Sequence, residues 1–79
     1  MKQYSYTIVL HNEPDEGGYS VTVPALPGCY TQGETVEECI ERAKEAIALH
    51  IEGLIEDGEP VPEDDGAQVL TVRVEAPAA

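Results

Sequence analysis

Apolar and polar positions alternate from Tyr4 to His11, with Tyr4, Tyr6, Ile8 and Leu10 on one face and Ser5, Thr7, Val9 and His11 on the other. A period of two, rich in aromatic and β-branched residues, predicts a strand buried on one side. Asn12-Glu13-Pro14-Asp15-Glu16-Gly17-Gly18 has the composition of a turn. The alternation resumes with Tyr19, Val21 and Val23 against Ser20 and Thr22, so the two runs make a hairpin. Pro24-Ala25-Leu26-Pro27-Gly28 then interrupts pairing, because proline lacks the ladder's N–H and Gly28 permits a sharp turn. Cys29 to Gln32 is expected to form a short third strand.

The period then changes. Thr35 followed three residues later by Glu38 is a capping-box signature, and Glu37 and Glu38 suit the positive end of a helix dipole. On a wheel of 100° per residue, Val36, Ile40, Ala43, Ile47, Ile51 and Leu54 fall within about 80° of arc. Glu38, Glu41, Glu45, Glu52 and Glu56 collect on the opposite side. Gly58 supplies a C-terminal cap, and Pro60 and Pro62 prevent continuation. The spacing predicts a helix over 36–57, about 33 Å long. An acidic, proline-containing loop from Glu59 to Gln68 leads to a last strand, Val69 to Val74, with Leu70, Val72 and Val74 on one face. The final residues, 76–79, are expected to fray.

The resulting order, βββαβ, is an α+β fold: a four-stranded mixed sheet with one helix packed on one face. The right-handed crossover rule favours strand order 3-2-1-4, with the last strand beside the first. The whole chain, 1–79, reads as one domain ordered over about 3–75.

Composition narrows the function. Sixteen acids against four bases give a net charge of −12, and Lys2, Arg42, Lys44 and Arg73 are dispersed. Phosphate contacts dominate nucleic-acid affinity, so this chain is not expected to bind nucleic acid directly. The same field opposes an anionic membrane surface, and no apolar run approaches the roughly 20 residues of a membrane span. A basic protein partner is the natural complement, although acidity also serves plain solubility. The N-terminus runs straight into a strand-like segment, so no leader is expected; Cys29 and Cys39 then read as free thiols in the cytoplasm. With no Phe or Trp and four tyrosines, the core must be thin and largely aliphatic. Such a core, with sheet edges to protect, predicts a homo-oligomer, dimer or higher.

Candidate chemistry is sparse. Metal-dependent hydrolysis needs clustered carboxylates, and the first strand carries none. Cys29, Cys39, His11 and His50 show no close ligand pair of the kind zinc requires. Cys39 and His50 lie about 16 Å apart along the helix. Cys39 is expected in the core, Cys29 beneath the Pro-Gly loop and His50 at the core's border. No catalytic residue, metal ligand or cofactor is expected. The acidic helix face is either a solvated surface or a docking surface. Leu49 stands on the far side of the wheel among Glu45, Glu52 and Glu56. The tyrosines divide between core and interface, since the ring offers area and the hydroxyl a polar tip. The candidate docking set is therefore Tyr30, Glu45, Leu49, Glu52 and Glu56.

Pro24-Ala25-Leu26-Pro27-Gly28-Cys29, then Thr31-Gln32-Gly33-Glu34-Thr35 running into Val36-Glu37-Glu38, resembles the HicB antitoxin family. Its Pro-x-Leu-Pro-Gly-Cys element, Thr-x-Gly-x-Thr element and acidic helix start all have counterparts here. Ala43-Lys44-Glu45-Ala46 is similar to the family's mid-helix pattern, Gly58, Pro60 and Pro62 to its post-helix segment, and Tyr19-Ser20-Val21-Thr22-Val23 to its Gly-Tyr strand. The resemblance covers about residues 4–75 and rests on Pro24, Leu26, Pro27, Gly28, Cys29, Gly33, Thr35, Glu38, Gly58, Pro60 and Pro62. It implies a partial ribonuclease-H-like fold. It also implies a role in a type II toxin–antitoxin system, as the domain that covers and inhibits a small basic mRNA-cleaving ribonuclease toxin (HicA-like). The typical antitoxin of the family adds a C-terminal DNA-binding segment, for which this sequence shows no counterpart after its last strand. A solitary self-associating module with no toxin partner is the alternative, and a divergent metal-dependent nuclease is a third reading.

Overall fold

The computed structural model describes residues 2–78 and has three strands followed by one helix. Strands β1 (Val9–Asn12), β2 (Tyr19–Thr22) and β3 (Tyr30–Gly33) form an antiparallel meander in the spatial order β1-β2-β3. Leu10 sits opposite Val21, and Val21 opposite Thr31. Helix α1 (Val36–Glu56) packs on the face that carries Ile8, Leu10, Tyr19 and Val21, the face that the alternation assigned to the core. The architecture is α+β.

The first strand is shorter than the alternation predicts. The register that pairs Val9 with Thr22 would bring Thr7 opposite Pro24, which has no N–H to give. Val23 N–H continues the β2–β3 register, donating to the carbonyl of Cys29 at 3.3 Å, so neither Val23 nor Pro24 gives the first strand a donor. Residues 4–8 are therefore left outside the ladder.

The core has two adjoining parts. Val21, Cys39 and Ala43 form one, flanked by Ile8, Leu10, Tyr19 and Ile47. Val23, Leu26 and Cys29 form the other, under Tyr6, Ile8, Ala46, Ile47 and Leu54. Leu26 reaches the second from the proline loop. That loop closes on itself: Leu26 N–H donates to Val23 O (2.9 Å) and Cys29 N–H to Leu26 O (3.0 Å). Pro24, Pro27 and Gly28 shape its exposed outer side, with Gly28 at φ 86°.

Both helix ends are capped by local chemistry. Thr35 Oγ1 accepts from Glu38 N–H at 3.1 Å, while the Glu38 carboxylate accepts from Glu34 N–H at 2.9 Å. The reciprocal bond thus reaches one residue further back than the usual capping box. At the other end Gly58, φ 70°, donates to Ile55 O and Glu59 donates to Leu54 O, a Schellman closure that leaves Asp57 as the C-cap.

Gly33 fixes how closely β3 approaches the helix start. A Cβ there would lie 2.9 Å from Cys39 Sγ and 3.0 Å from Cys39 N. Gly33→Ala should destabilise the fold by about 1–3 kcal/mol, since the helix backbone itself would have to retreat. Urea unfolding would show a lower midpoint at an unchanged m-value; an unchanged midpoint would contradict the close fit.

The expected fourth strand is not in place. Among the described residues, the segment 69–74 pairs with no strand, and Val69, Leu70, Val72 and Val74 are 64–82% exposed. The sheet is three-stranded and antiparallel instead of four-stranded and mixed. Hydrogen bonds of the preceding loop, described below, carry the chain past the start of the first strand, and the segment then runs on outward. The radius of gyration is 15.6 Å, against about 12 Å for a compact chain of this length, and the longest dimension is 55 Å.

Candidate functional site

The side of α1 that is buried differs from the side that the sequence pattern marks as apolar. Burial centres on Cys39 and Ala43, with Ala46 and His50 half-buried, whereas Val36 and Ile40 are exposed. At 100° per residue the buried arc is turned by about 70° from the apolar stripe. The helix therefore offers a different surface along each edge of the sheet.

Along β3, the segment Gly28–Tyr30 and the helix residues Ala46, Leu49 and His50 line a shallow hollow of about 300 Å³. Leu49 is 69% exposed and Tyr30 74%. Tyr30 stands opposite Thr22 in the register, on the sheet face turned away from the helix, so Tyr30 and Leu49 flank this edge from two sides. Glu45, Glu52 and Glu56 are exposed on the outer side of the helix next to Leu49, outside the hollow itself. Burial pushes the Cys29 thiol up from its ordinary value, which keeps it protonated and unsuited to nucleophilic work.

Along the segment that leads into β1 lies an apolar groove of about 380 Å³ between Tyr4, Tyr6 and Ile8 on one wall and Ile40, Lys44, Ile47, Ala48 and Ile51 on the other. The Tyr4 and Tyr6 rings stack with centroids 6.0 Å apart, and Lys2 sits 5.0 Å from the Tyr4 ring. Sequence reasoning did not single out this groove. Its signal was the width of the apolar stripe, which is more than one sheet of this size covers.

At the hairpin end, Glu13, Glu16, Glu34 and Glu38 surround a polar hollow of about 310 Å³ together with Arg42. Arg42 is 3.9 Å from Glu38, an exposed pair of small energetic weight. This acidic concentration also escaped the sequence reading, because its members come from the β1–β2 turn and the helix cap. Among the described residues, no three Cys, His, Asp or Glu side chains come together as metal ligands. No described helix is long and apolar enough to cross a membrane.

The post-helix loop is clamped to the segment that precedes the first strand. Tyr6 OH donates to Pro62 O, and Lys2 pairs with Glu63 at 3.2 Å. Asp64 accepts from Thr7 N–H and from Thr7 Oγ1, each at 3.1 Å, and from Gly66 N–H at 3.0 Å. The Thr7 backbone donor, aided by the Gly66 N–H and the Thr7 hydroxyl, holds the Asp64 carboxyl below the ordinary 3.8 against a smaller desolvation effect. A folded-state value that is depressed means that the clamp contributes fully above 3.8 and is lost as pH falls through the lower folded value. Amide exchange at Thr7 should therefore accelerate as pH falls below 3.8, beyond its intrinsic pH dependence, and Asp64→Asn should abolish that step. Protection that is flat across this window would contradict the clamp.

Open edges, a groove and charged faces mark a small α+β protein with one helix on a three-stranded sheet. Comparison with known sequences gives the family. The model described as HicB_like antitoxin of bacterial toxin-antitoxin system matches residues 6–76, and the chain belongs to this family. A UPF0150 protein of Synechocystis sp. is 50% identical over 62 residues, which are 78% of this chain and 77% of that protein. A UPF0150 protein of Thermoplasma acidophilum is 46% identical over 86% of this chain and 96% of its own length. Antitoxin HicB of Escherichia coli K12 is 42% identical over 72% of this chain, but the match spans only 41% of that antitoxin.

Proposed function

We propose that the chain acts as the neutralising module of a toxin–antitoxin system, binding a small basic ribonuclease in the cytoplasm and covering it without catalysing a reaction. Membership of the antitoxin family supports this reading. The observation that carries it is the β3 edge, where Leu49 stands exposed beside the outward carboxylates of Glu45, Glu52 and Glu56 and Tyr30 stands exposed on the other side of the edge. An apolar anchor ringed by charge is the composition of a protein interface, with the anchor supplying affinity and the rim supplying orientation. The net charge of −12 draws a basic partner in and repels nucleic acid.

The test is a search for a small basic ribonuclease of the HicA type encoded beside this chain, followed by co-expression of the two; the absence of such a neighbour would count against the reading. Wild type should restore growth and bind the purified toxin. Leu49→Asp should weaken binding about tenfold or more while the helical circular-dichroism signal persists. Wild type that neither binds nor protects would overturn the reading. Binding untouched by Leu49→Asp would move it to another surface.

A further inference from the structure

We propose that the segment Val69–Val74 completes the sheet of a second copy of this chain, lying along the free edge of that copy's β1 with Leu70, Val72 and Val74 turned into its apolar groove. The exchange would be reciprocal, giving a two-fold dimer. This goes beyond toxin binding and uses the opposite edge of the sheet.

Several observations converge on it. β1 pairs only with β2, so its other edge is open. Continuing from that edge, the segment just before β1 forms one wall of the groove lined by Tyr4, Tyr6, Ile8, Ile40, Ala48 and Ile51. The tail supplies what such a site lacks: six residues with the alternation of a strand, paired with no strand of their own chain, whose alternate apolar side chains are exposed. An open edge and an unpaired apolar strand in one molecule are each sites for pairing with another chain. The dimensions agree, since six strand residues span about 20 Å and the helix wall from Ile40 to Ile51 rises about 16 Å. Charge does not oppose the contact. Residues 69–78 carry only Arg73 and Glu75, so the docking segment is locally neutral although the chain is strongly acidic.

The path of the loop points to a second copy as the occupant. Asp64 and Asp65 accept from Gly66 N–H (3.0 Å) and Ala67 N–H (2.9 Å), and Thr7 Oγ1 donates to Ala67 O (3.2 Å). These bonds set the direction in which the chain leaves the body before Val69 is reached. From there Leu70, Val72 and Val74 stay exposed and outside their own chain's groove. Exchange of an identical element needs no new interface chemistry, since both halves already exist in every copy.

Sedimentation equilibrium should give twice the 8.5 kDa chain mass for the wild type. Val72→Asp should give a single chain mass with its helical signal intact. A second variant separates exchange from closure within one chain. Ala48→Cys combined with Val72→Cys, oxidised at low micromolar concentration, should form a covalent dimer. A disulfide inside a single chain, no disulfide at all, a monomeric wild type or a Val72→Asp protein that remains dimeric would each overturn the proposal. Toxin binding by the Leu49 surface is read in a separate assay, so either idea can fail alone.

Discussion

Leu26→Ala should remove much of the stability of this protein, lowering the thermal midpoint by about 10 °C or more. Leu26 has no exposed surface and is the largest fully buried side chain. It descends from a loop held by three short-range backbone bonds, so truncation leaves a cavity that the loop cannot readily collapse to fill. Truncating a buried leucine costs about 2–5 kcal/mol, the spread depending on how far the site relaxes. A chain of this size holds only about 4–12 kcal/mol in total. For domains of 60–100 residues each kcal/mol moves the midpoint by about 4–8 °C. Leu26→Met keeps the volume and should cost less than about 1.5 kcal/mol. Thermal circular dichroism of the three proteins is the measurement. A fall below about 4 °C for the alanine variant would mean that Leu26 is not the plug of the core.

The prediction concerns a residue whose place was legible before its weight was. The proline loop was visible in the sequence as a break in pairing, and its composition carried the family resemblance. That Leu26 turns inward to join Val23 and Cys29 depends on contacts across the chain that no local pattern encodes. The helix was legible to within one residue at its end, because caps act locally: Thr35 and Glu38 at one end, Gly58 at the other. The hairpin was legible for the same reason.

What escaped was whatever depends on which neighbour covers a surface. A wheel shows which helix residues are apolar, and it placed Ile40 and Ile51 with the core. The three-stranded sheet covers an arc turned toward Cys39, so part of the stripe lines an open groove instead. Alternation likewise marks Val69–Val74 as a strand but names no partner for it. The candidate docking residues divide in the same way. Exposure of Leu49 followed from the wheel, whereas its position beside the Gly28–Tyr30 edge needed the register of the sheet.

Salt should act oppositely on the two proposed contacts, and the difference should be large. The association rate with a basic ribonuclease should fall about tenfold or more between about 0.05 and 0.5 M NaCl, because screening shortens the reach of the acidic field from roughly 14 Å to roughly 4 Å. The chain's net charge of −12 makes that field strong at low salt. Self-association through the tail should hold or strengthen over the same range. Its contact surfaces are apolar and locally neutral, while the copies as wholes repel, so screening removes an opposing force and leaves the buried contact intact. Stopped-flow association with the toxin, and sedimentation of the chain alone across the same salt series, measure the two trends. A salt-insensitive toxin rate would mean that Glu45, Glu52 and Glu56 do not steer the encounter. A dimer that dissociates as salt rises would mean that ion pairs, and not Leu70, Val72 and Val74 in an apolar groove, hold the copies together.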